Sequence, residues 1–353
     1  MEGRVLNLRI TGRIALAALA ATVSIGTIGY PAVADAPSVD TVSTAATAPD
    51  GSSIKSVEIK DARNVRLTVF SAAMNQTFPV DVLRPADTSA PRPTLYLLNG
   101  AGGGVDDATW QLRTDALDFL SDKNINVVRI VGGAFAWYTD WVKPDPALGV
   151  NKWGTYLADE LPPLIDAALN TNRVNAIAGI SMAGLPILNT AISHPGMYRS
   201  AASYSGLYQT TTPIARAAVR AVTELYGGGD VTNMWGPEND PLWAANDPTL
   251  NAEKLRGIHL FISSGTGIPG IWDIPGGKFR MEQPAETPKV VALGGFIEAN
   301  VELSTLTLQQ KLDSLGIPAT FNYRPTGTHS WGYWQEDLKT SWPVLAAGLY
   351  SAP

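Results

Sequence analysis

The hexapeptide Gly179-Ile180-Ser181-Met182-Ala183-Gly184 sets one serine among small residues, after an apolar run that reads as a strand (174–178) and before a helical pattern (182–193). A serine on a sharp strand-to-helix turn is the nucleophile elbow of acyl-transfer enzymes, and such a turn needs small neighbours where backbones close in. Gly179 and Ala183 meet that need. The turn also puts the amide of Met182 at a helix start, where an N–H can stabilise a developing oxyanion.

A second glycine-rich segment, Leu98-Asn99-Gly100-Ala101-Gly102-Gly103-Gly104, follows another buried-strand pattern (94–98). In hydrolases with an elbow, the second oxyanion donor comes from a loop after an earlier strand, which makes the amide of Ala101 the candidate. A dinucleotide loop fits less well, because Val105 stands where G-x-G-x-x-G has its last glycine, and no Gly-Lys-Ser/Thr follows for a phosphate loop.

Three histidines are available as a base. His194 opens His-Pro-Gly at a helix end and reads as a cap. His259 falls within a strand pattern and reads as a core histidine. His329, in Gly327-Thr328-His329-Ser330-Trp331, alone leaves room for the order serine, acid, histidine. Asp273, Glu282, Glu298, Glu302 and Asp313 all lie in the interval, and spacing does not choose among them. With no cysteine and scattered histidines, neither a metal site nor a cofactor is expected.

The elements that must carry these groups alternate. Strand patterns at 56–59, 65–70, 78–83, 94–98, 125–130, 174–178, 201–205, 258–263 and 318–323 are interleaved with helical patterns at 110–121, 157–169 and 182–193. Such alternation predicts an α/β fold with a mostly parallel sheet covered on both faces. Residues 206–257 read as a helical and loop insertion near the site. Trp137, Trp141, Trp235, Trp243 and Trp331 belong either to its walls or to the core. At 45% hydrophobic and 16% charged residues, the chain has material for one large core. A net charge of −6 argues against a nucleic-acid partner.

Taken together, several ordered strings resemble the mycolyltransferases of mycolic-acid bacteria, the antigen 85 type among esterase D-like α/β-hydrolases. They include Tyr138-Thr139-Asp140-Trp141, Lys152-Trp153, Ser181-Met182-Ala183-Gly184, Met234-Trp235-Gly236-Pro237 and Gly327-Thr328-His329-Ser330-Trp331 with Tyr333-Trp334. The resemblance covers roughly 55–345. It implies an α/β-hydrolase fold, Ser181 as nucleophile, His329 as base, Glu298 as acid, and Ala101 and Met182 as oxyanion donors. It also implies an acyl glycolipid donor such as trehalose monomycolate and a hydroxyl acceptor such as arabinogalactan. Where the family reads Leu-Asp-Gly-Leu-Arg, this chain has Leu98-Asn99-Gly100-Ala101-Gly102, without the Asp and Arg that bind trehalose. Substrate contacts are then expected at Asn99, Gly100, Gly102 and Trp331. A carboxylesterase using water, and a binding protein on a hydrolase scaffold, are the competing readings.

The N-terminus reads as an address. Arg4, Arg9 and Arg13 precede the apolar run 14–30, and Ala32-Val33-Ala34 supplies a cleavage pattern. A signal peptide at 1–34, a flexible leader at 35–55 and one catalytic domain at 56–350 are expected. Cleavage after Ala34 would leave 319 of 353 residues with a formal charge of −8. An exported enzyme of this kind would reside in the cell envelope, in reach of its outer lipid layer, or be secreted.

Overall fold

Residues 42–273 and 287–351 are described in the computed structural model; the expected signal peptide lies outside them. Among the described residues the apolar alternation seen in the sequence becomes nine strands: β1 Ser53–Ile59, β2 Asn64–Ser71, β3 Gln76–Leu83, β4 Arg92–Leu98, β5 Asn126–Ile130, β6 Thr171–Ile180, β7 Tyr198–Tyr204, β8 His259–Gly265 and β9 Thr320–Arg324. They form one sheet in the order β1-β2-β3-β5-β4-β6-β7-β8-β9. The first three strands run as an antiparallel meander and β3 pairs antiparallel with β5, whereas β5 through β9 are parallel. The chain has the α/β-hydrolase fold.

Pleating sorts the side chains of the central strands into two cores. Tyr96 and Leu98 of β4 join the core on one face, and Leu95 and Leu97 join the other. Helices α1 (Leu161–Leu169) and α2 (Gly184–Ser193) cover the first face. A second pair, α4 (Thr287–Ser314) and α5 (Trp331–Leu349), follows the shorter α3 (Pro213–Arg220) in the chain. Ser200 Oγ of β7 donates to the Leu345 carbonyl at 3.0 Å, and Tyr204 Oη meets Ser341 Oγ at 2.7 Å, which seats α5 on the second face. Among the described residues no helix is long and apolar enough to cross a membrane.

The end of the expected leader is tied to this core. Ala46 and Ala48 are buried, and Ser43 N–H donates to the Ala168 carbonyl at 3.3 Å.

Register then positions the site. Leu98 pairs with Gly179, Gly179 with Ser203, Ser203 with Ile262, and Ile262 with Phe321. The C-terminal ends of β4, β6, β7, β8 and β9 therefore lie along one edge, where ligands of open α/β sheets bind. Gly184 lets α2 start directly behind that edge: a Cβ there would lie 2.6 Å from Gly206 Cα and 2.5 Å from Ser203 Oγ. Gly184→Ala is expected to destabilise the fold by about 1–3 kcal/mol through overpacking, read as a lower denaturant midpoint. An unchanged midpoint would count against that contact.

Candidate active site

Ser181 sits where β6 stops. Ile180 is still extended, Ser181 turns to φ +54°, and Ser181–Ala183 make one tight helical turn before α2. Left-handed backbone is costly for a non-glycine residue and persists only where the surroundings hold it. Here β4 and β7 clamp β6 on both sides, and a Cβ on Gly179 would lie 3.0 Å from the Leu98 carbonyl oxygen. The hydroxyl is thereby carried out of the strand direction.

His329 reaches it from the loop between β9 and α5. Its Nε2 lies 2.7 Å from Ser181 Oγ, and its Nδ1 lies 2.8 Å from Glu298 Oε2. Since a carboxylate only accepts, Nδ1 carries the proton and Nε2 presents a lone pair to the serine O–H. The loop is pinned from several sides. His329 N–H donates to the Gly294 carbonyl at 3.2 Å, and Gly327 N–H donates to the Ile268 carbonyl at 2.6 Å. Thr328 Oγ1 and Tyr333 Oη donate to the two oxygens of Asp273, at 2.5 and 2.7 Å. Burial and this bond to Asp273 push the Tyr333 phenol above its ordinary range. Asp273, one of the acids in the interval, thus braces the histidine loop.

Glu298 is fully buried on α4. Glu302 is half-buried and Asp313 exposed, while Glu282 lies outside the described residues. The Glu298 Oε1 oxygen accepts from Ser205 Oγ at 2.6 Å, Gly265 N–H at 2.7 Å and Arg324 Nη2 at 2.8 Å. Three donors on one oxygen fix the carboxylate plane and leave Oε2 for the imidazole. The Arg324 guanidinium continues to Asp337 Oδ2. Asp337 also accepts from Ser263 Oγ at 2.8 Å and Asn322 Nδ2 at 3.1 Å. Burial pushes Arg324 down from its ordinary value, and the neighbouring Glu298 pulls it back up. Trp334 closes this side: its ring meets His329 edge-on at 4.9 Å, and its Nε1 donates to Ser205 Oγ at 3.0 Å.

The glycine loop after β4 passes the serine, since a Cβ on Gly100 would lie 3.6 Å from Ser181 Cβ. Gly103 N–H donates to the Gly100 carbonyl at 3.0 Å, and the Gly103 carbonyl accepts from Gly132 N–H at 2.9 Å. Gly103 has φ +62°, and a Cβ there would stand 2.3 Å from the Gly132 carbonyl oxygen, so glycine alone fits. The Ala101 carbonyl accepts from Phe135 N–H at 2.7 Å, and the Phe135 carbonyl accepts from Thr223 Oγ1 at 3.4 Å. The helical segment between β7 and β8 therefore braces the loop that carries Ala101.

Some expected positions fall elsewhere. Asn99 is 2% exposed and its amide donates to the Ile130 carbonyl at 3.2 Å. It ties the loop to β5 rather than offering its side chain to a ligand. Gly102 lies under the Asp106 carboxylate, which occupies the space a Cβ would need. Trp331 is half-buried, stacked edge-on between Trp110 at 5.6 Å and Trp334 at 5.3 Å, so it supports the histidine side through Trp334. Trp137, Trp141, Trp235 and Trp243 are all core. His194 meets Ser193 Oγ at 2.9 Å at the end of α2, and His259 is exposed at the start of β8 rather than buried. Sequence reasoning missed Ser205, Arg324 and Asp337. A charge closing the strand pattern just before the histidine loop, and an acid on the buried stripe Trp334-Leu338-Ser341-Leu345, were the available signals.

The family described as "Putative esterase" matches residues 71–344. The chain belongs to this esterase family. Diacylglycerol acyltransferase/mycolyltransferase Ag85B of Mycobacterium leprae is 33% identical over 294 residues, 81% of this chain and 84% of that protein. Ag85A of Mycobacterium tuberculosis is 31% identical over 268 residues, 74% of this chain and 75% of that protein. Among solved structures, Mycobacterium tuberculosis MPT51 (FbpC1) superposes with a TM-score of 0.67 at 24% identity, covering 82% of this chain and all (100%) of that one. An S-formylglutathione hydrolase from Agrobacterium tumefaciens superposes at 0.58 with 15% identity, over 84% and 99% of the two chains, and shares the fold. The protein is an enzyme of acyl-ester chemistry, an acyltransferase or an esterase.

Proposed function

We propose that this protein moves a long acyl chain from a glycolipid ester to a hydroxyl acceptor through a Ser181 acyl-enzyme. The observation that carries the reading is the unbroken row Ser181 Oγ, His329 and Glu298, joined at 2.7 and 2.8 Å. Ser181 Oγ attacks the ester carbonyl carbon while its proton passes to His329 Nε2, and Glu298 stabilises the imidazolium. The amides of Ala101 and Met182 hold the oxyanion, each such donor contributing about 2.7–4 kcal/mol. Collapse expels the donor alcohol, which takes the proton back from His329. An acceptor hydroxyl then attacks the acyl-enzyme, giving its proton to the same nitrogen, and the new ester leaves with Ser181 restored.

Two features support an apolar acyl donor of the mycolyl type. The similar proteins carry the name diacylglycerol acyltransferase/mycolyltransferase. The segments bonded to the histidine loop also present apolar side chains to solvent, including Ile268 at 59%, Ile271 at 68% and Phe296 at 70% exposure. Trehalose monomycolate is the donor to test, with arabinogalactan or another envelope hydroxyl as acceptor. Export by residues 1–34 would deliver the enzyme to those substrates. Asn99 is buried against β5 and Gly102 has no side chain, so neither position offers a side chain to a sugar acceptor, which favours water as the second reading.

Acyl-labelled trehalose monomycolate separates the two. Label is expected mainly in a new acyl ester when acceptor is present. Label recovered mainly as free acid, at every acceptor concentration, would replace transfer by hydrolysis.

A further inference from the structure

Beyond the three residues of the catalytic row lies a buried charge that the mechanism leaves idle. Arg324 joins two carboxylates, Glu298 and Asp337, whose side chains are 0% and 1% exposed while its own is 11% exposed. A buried ion is costly unless paired and hydrogen-bonded. Every oxygen in this row is engaged. Glu298 takes three donors on Oε1 and the imidazole on Oε2; Asp337 takes Ser263 and Arg324 on one oxygen and Asn322 on the other.

We propose that Arg324 and Asp337 are positioning residues of the acyl-transfer site, acting together through Glu298 to set the charge that the His329 imidazole meets. The inference rests on the catalytic reading given above. A guanidinium alone on Glu298 would lock its plane but cancel the negative charge that the imidazolium needs during attack. Asp337 restores that charge from the far side of the guanidinium. The row thus keeps one net negative charge, as a lone glutamate would, while gaining a rigid geometry that a lone glutamate lacks. Arg suits this place because its planar fork serves two carboxylates at once, which a lysine ammonium does less well.

Other ionisable groups lie near the row: Asp273, which holds the loop through Thr328 and Tyr333; Tyr333 itself, 5.4 Å from the Arg324 guanidinium; and Tyr208, bonded to Ser203 at 2.8 Å and acting electrostatically on Arg324. None of them changes in the variants below, so shifts among these report the row itself.

The test is the rate of Ser181 labelling by a fluorophosphonate between pH 4 and 9, which needs no natural substrate. Labelling requires the imidazole as base, so its rate rises with pH along an acid limb. Arg324→Met leaves two carboxylates, favours the imidazolium, and is expected to move the limb up. On the limb, labelling should slow about tenfold at fixed pH, the equivalent of one pH unit. Asp337→Asn removes a negative charge and should move the limb down by a similar amount. The double variant Arg324→Met with Asp337→Asn regains the original net charge, and its limb should return to the wild-type position.

A purely structural role predicts lower rates in both single variants with no opposed movement of the limb, and that result would overturn the inference. Single variants that fail to fold are replaced by two matched doubles. Arg324→Met with Asp337→Asn should hold the wild-type limb, and Arg324→Lys with Asp337→Asn should lie about one pH unit lower. Equal limbs in the two doubles would also overturn it. Labelling that survives Ser181→Ala, or a wild-type profile flat in pH, would remove the catalytic reading and this inference with it. A wild-type limb that no charge change moves removes the inference alone.

Discussion

Ser181→Ala is expected to abolish turnover of activated esters, with kcat falling by on the order of 10⁶, while the protein stays folded. Ser181 is half-buried, and among the described residues its hydroxyl is hydrogen-bonded only to His329 Nε2, at 2.7 Å, so its loss removes that one bond. Alanine would also keep the φ of +54° that the elbow imposes, with no larger side chain to clash. His329→Ala should cost a comparable factor, because serine and histidine act as one unit in moving a single proton. The combined variant should therefore be little worse than either alone, as groups acting in one step are strongly non-additive. Stopped-flow or end-point hydrolysis of a p-nitrophenyl ester reads all three. Residual activity within about 100-fold of wild type in Ser181→Ala would mean that another nucleophile carries the reaction.

How much of this was legible beforehand follows from what kind of physics each part depends on. The elbow and the glycine loop are local devices. Their backbone needs small residues at fixed offsets, and Gly179, Ala183, Gly100 and Gly103 stand in the sequence for that reason. The strands were equally readable, because alternation in β2 and the apolar run that ends β4 record their burial directly. The direction of pairing was not, and the first three strands turned out antiparallel.

Long helices were harder. In α5 a proline sits at position 343, and in α4 the pair Gly294-Gly295 interrupts the helical pattern. Those two glycines are there for a tertiary reason: a Cβ on Gly295 would stand 2.6 Å from the Gly267 carbonyl oxygen, next to the His329 loop. The acid shows the same limit. Five carboxylates were equivalent by position, and only the resemblance preferred Glu298. What distinguishes it in the fold is a set of donors from β8, β9 and the residue after β7, brought together by register over more than a hundred residues of chain. Ser205, at φ +53° just past β7, is one of those donors and carries no motif of its own.

Those donors make Glu298→Gln the sharper test of the acid. A glutamine must place its one carbonyl oxygen and its NH₂ where two carboxylate oxygens stood. The Oε1 position receives hydrogens from Ser205, Gly265 and Arg324, so the carbonyl oxygen is held there. The NH₂ then faces His329 Nδ1, which must become an acceptor. That forces the imidazole proton onto Nε2, pointing it at Ser181 Oγ, and the nitrogen that should take the serine proton is already occupied. A correct geometry in the wrong tautomer typically lowers kcat by about 10⁴. The expected result is a loss of about that size with little change in melting temperature, since the shape and three of the four hydrogen bonds survive. Glu298→Ala should behave differently: it opens a buried cavity and strands the Arg324 guanidinium beside Asp337, so stability should fall together with activity. If Glu298→Gln keeps activity within about tenfold of wild type, the carboxylate does not govern the imidazole, and the orientation of His329 must come from its loop contacts with Gly294 and, through Thr328, Asp273.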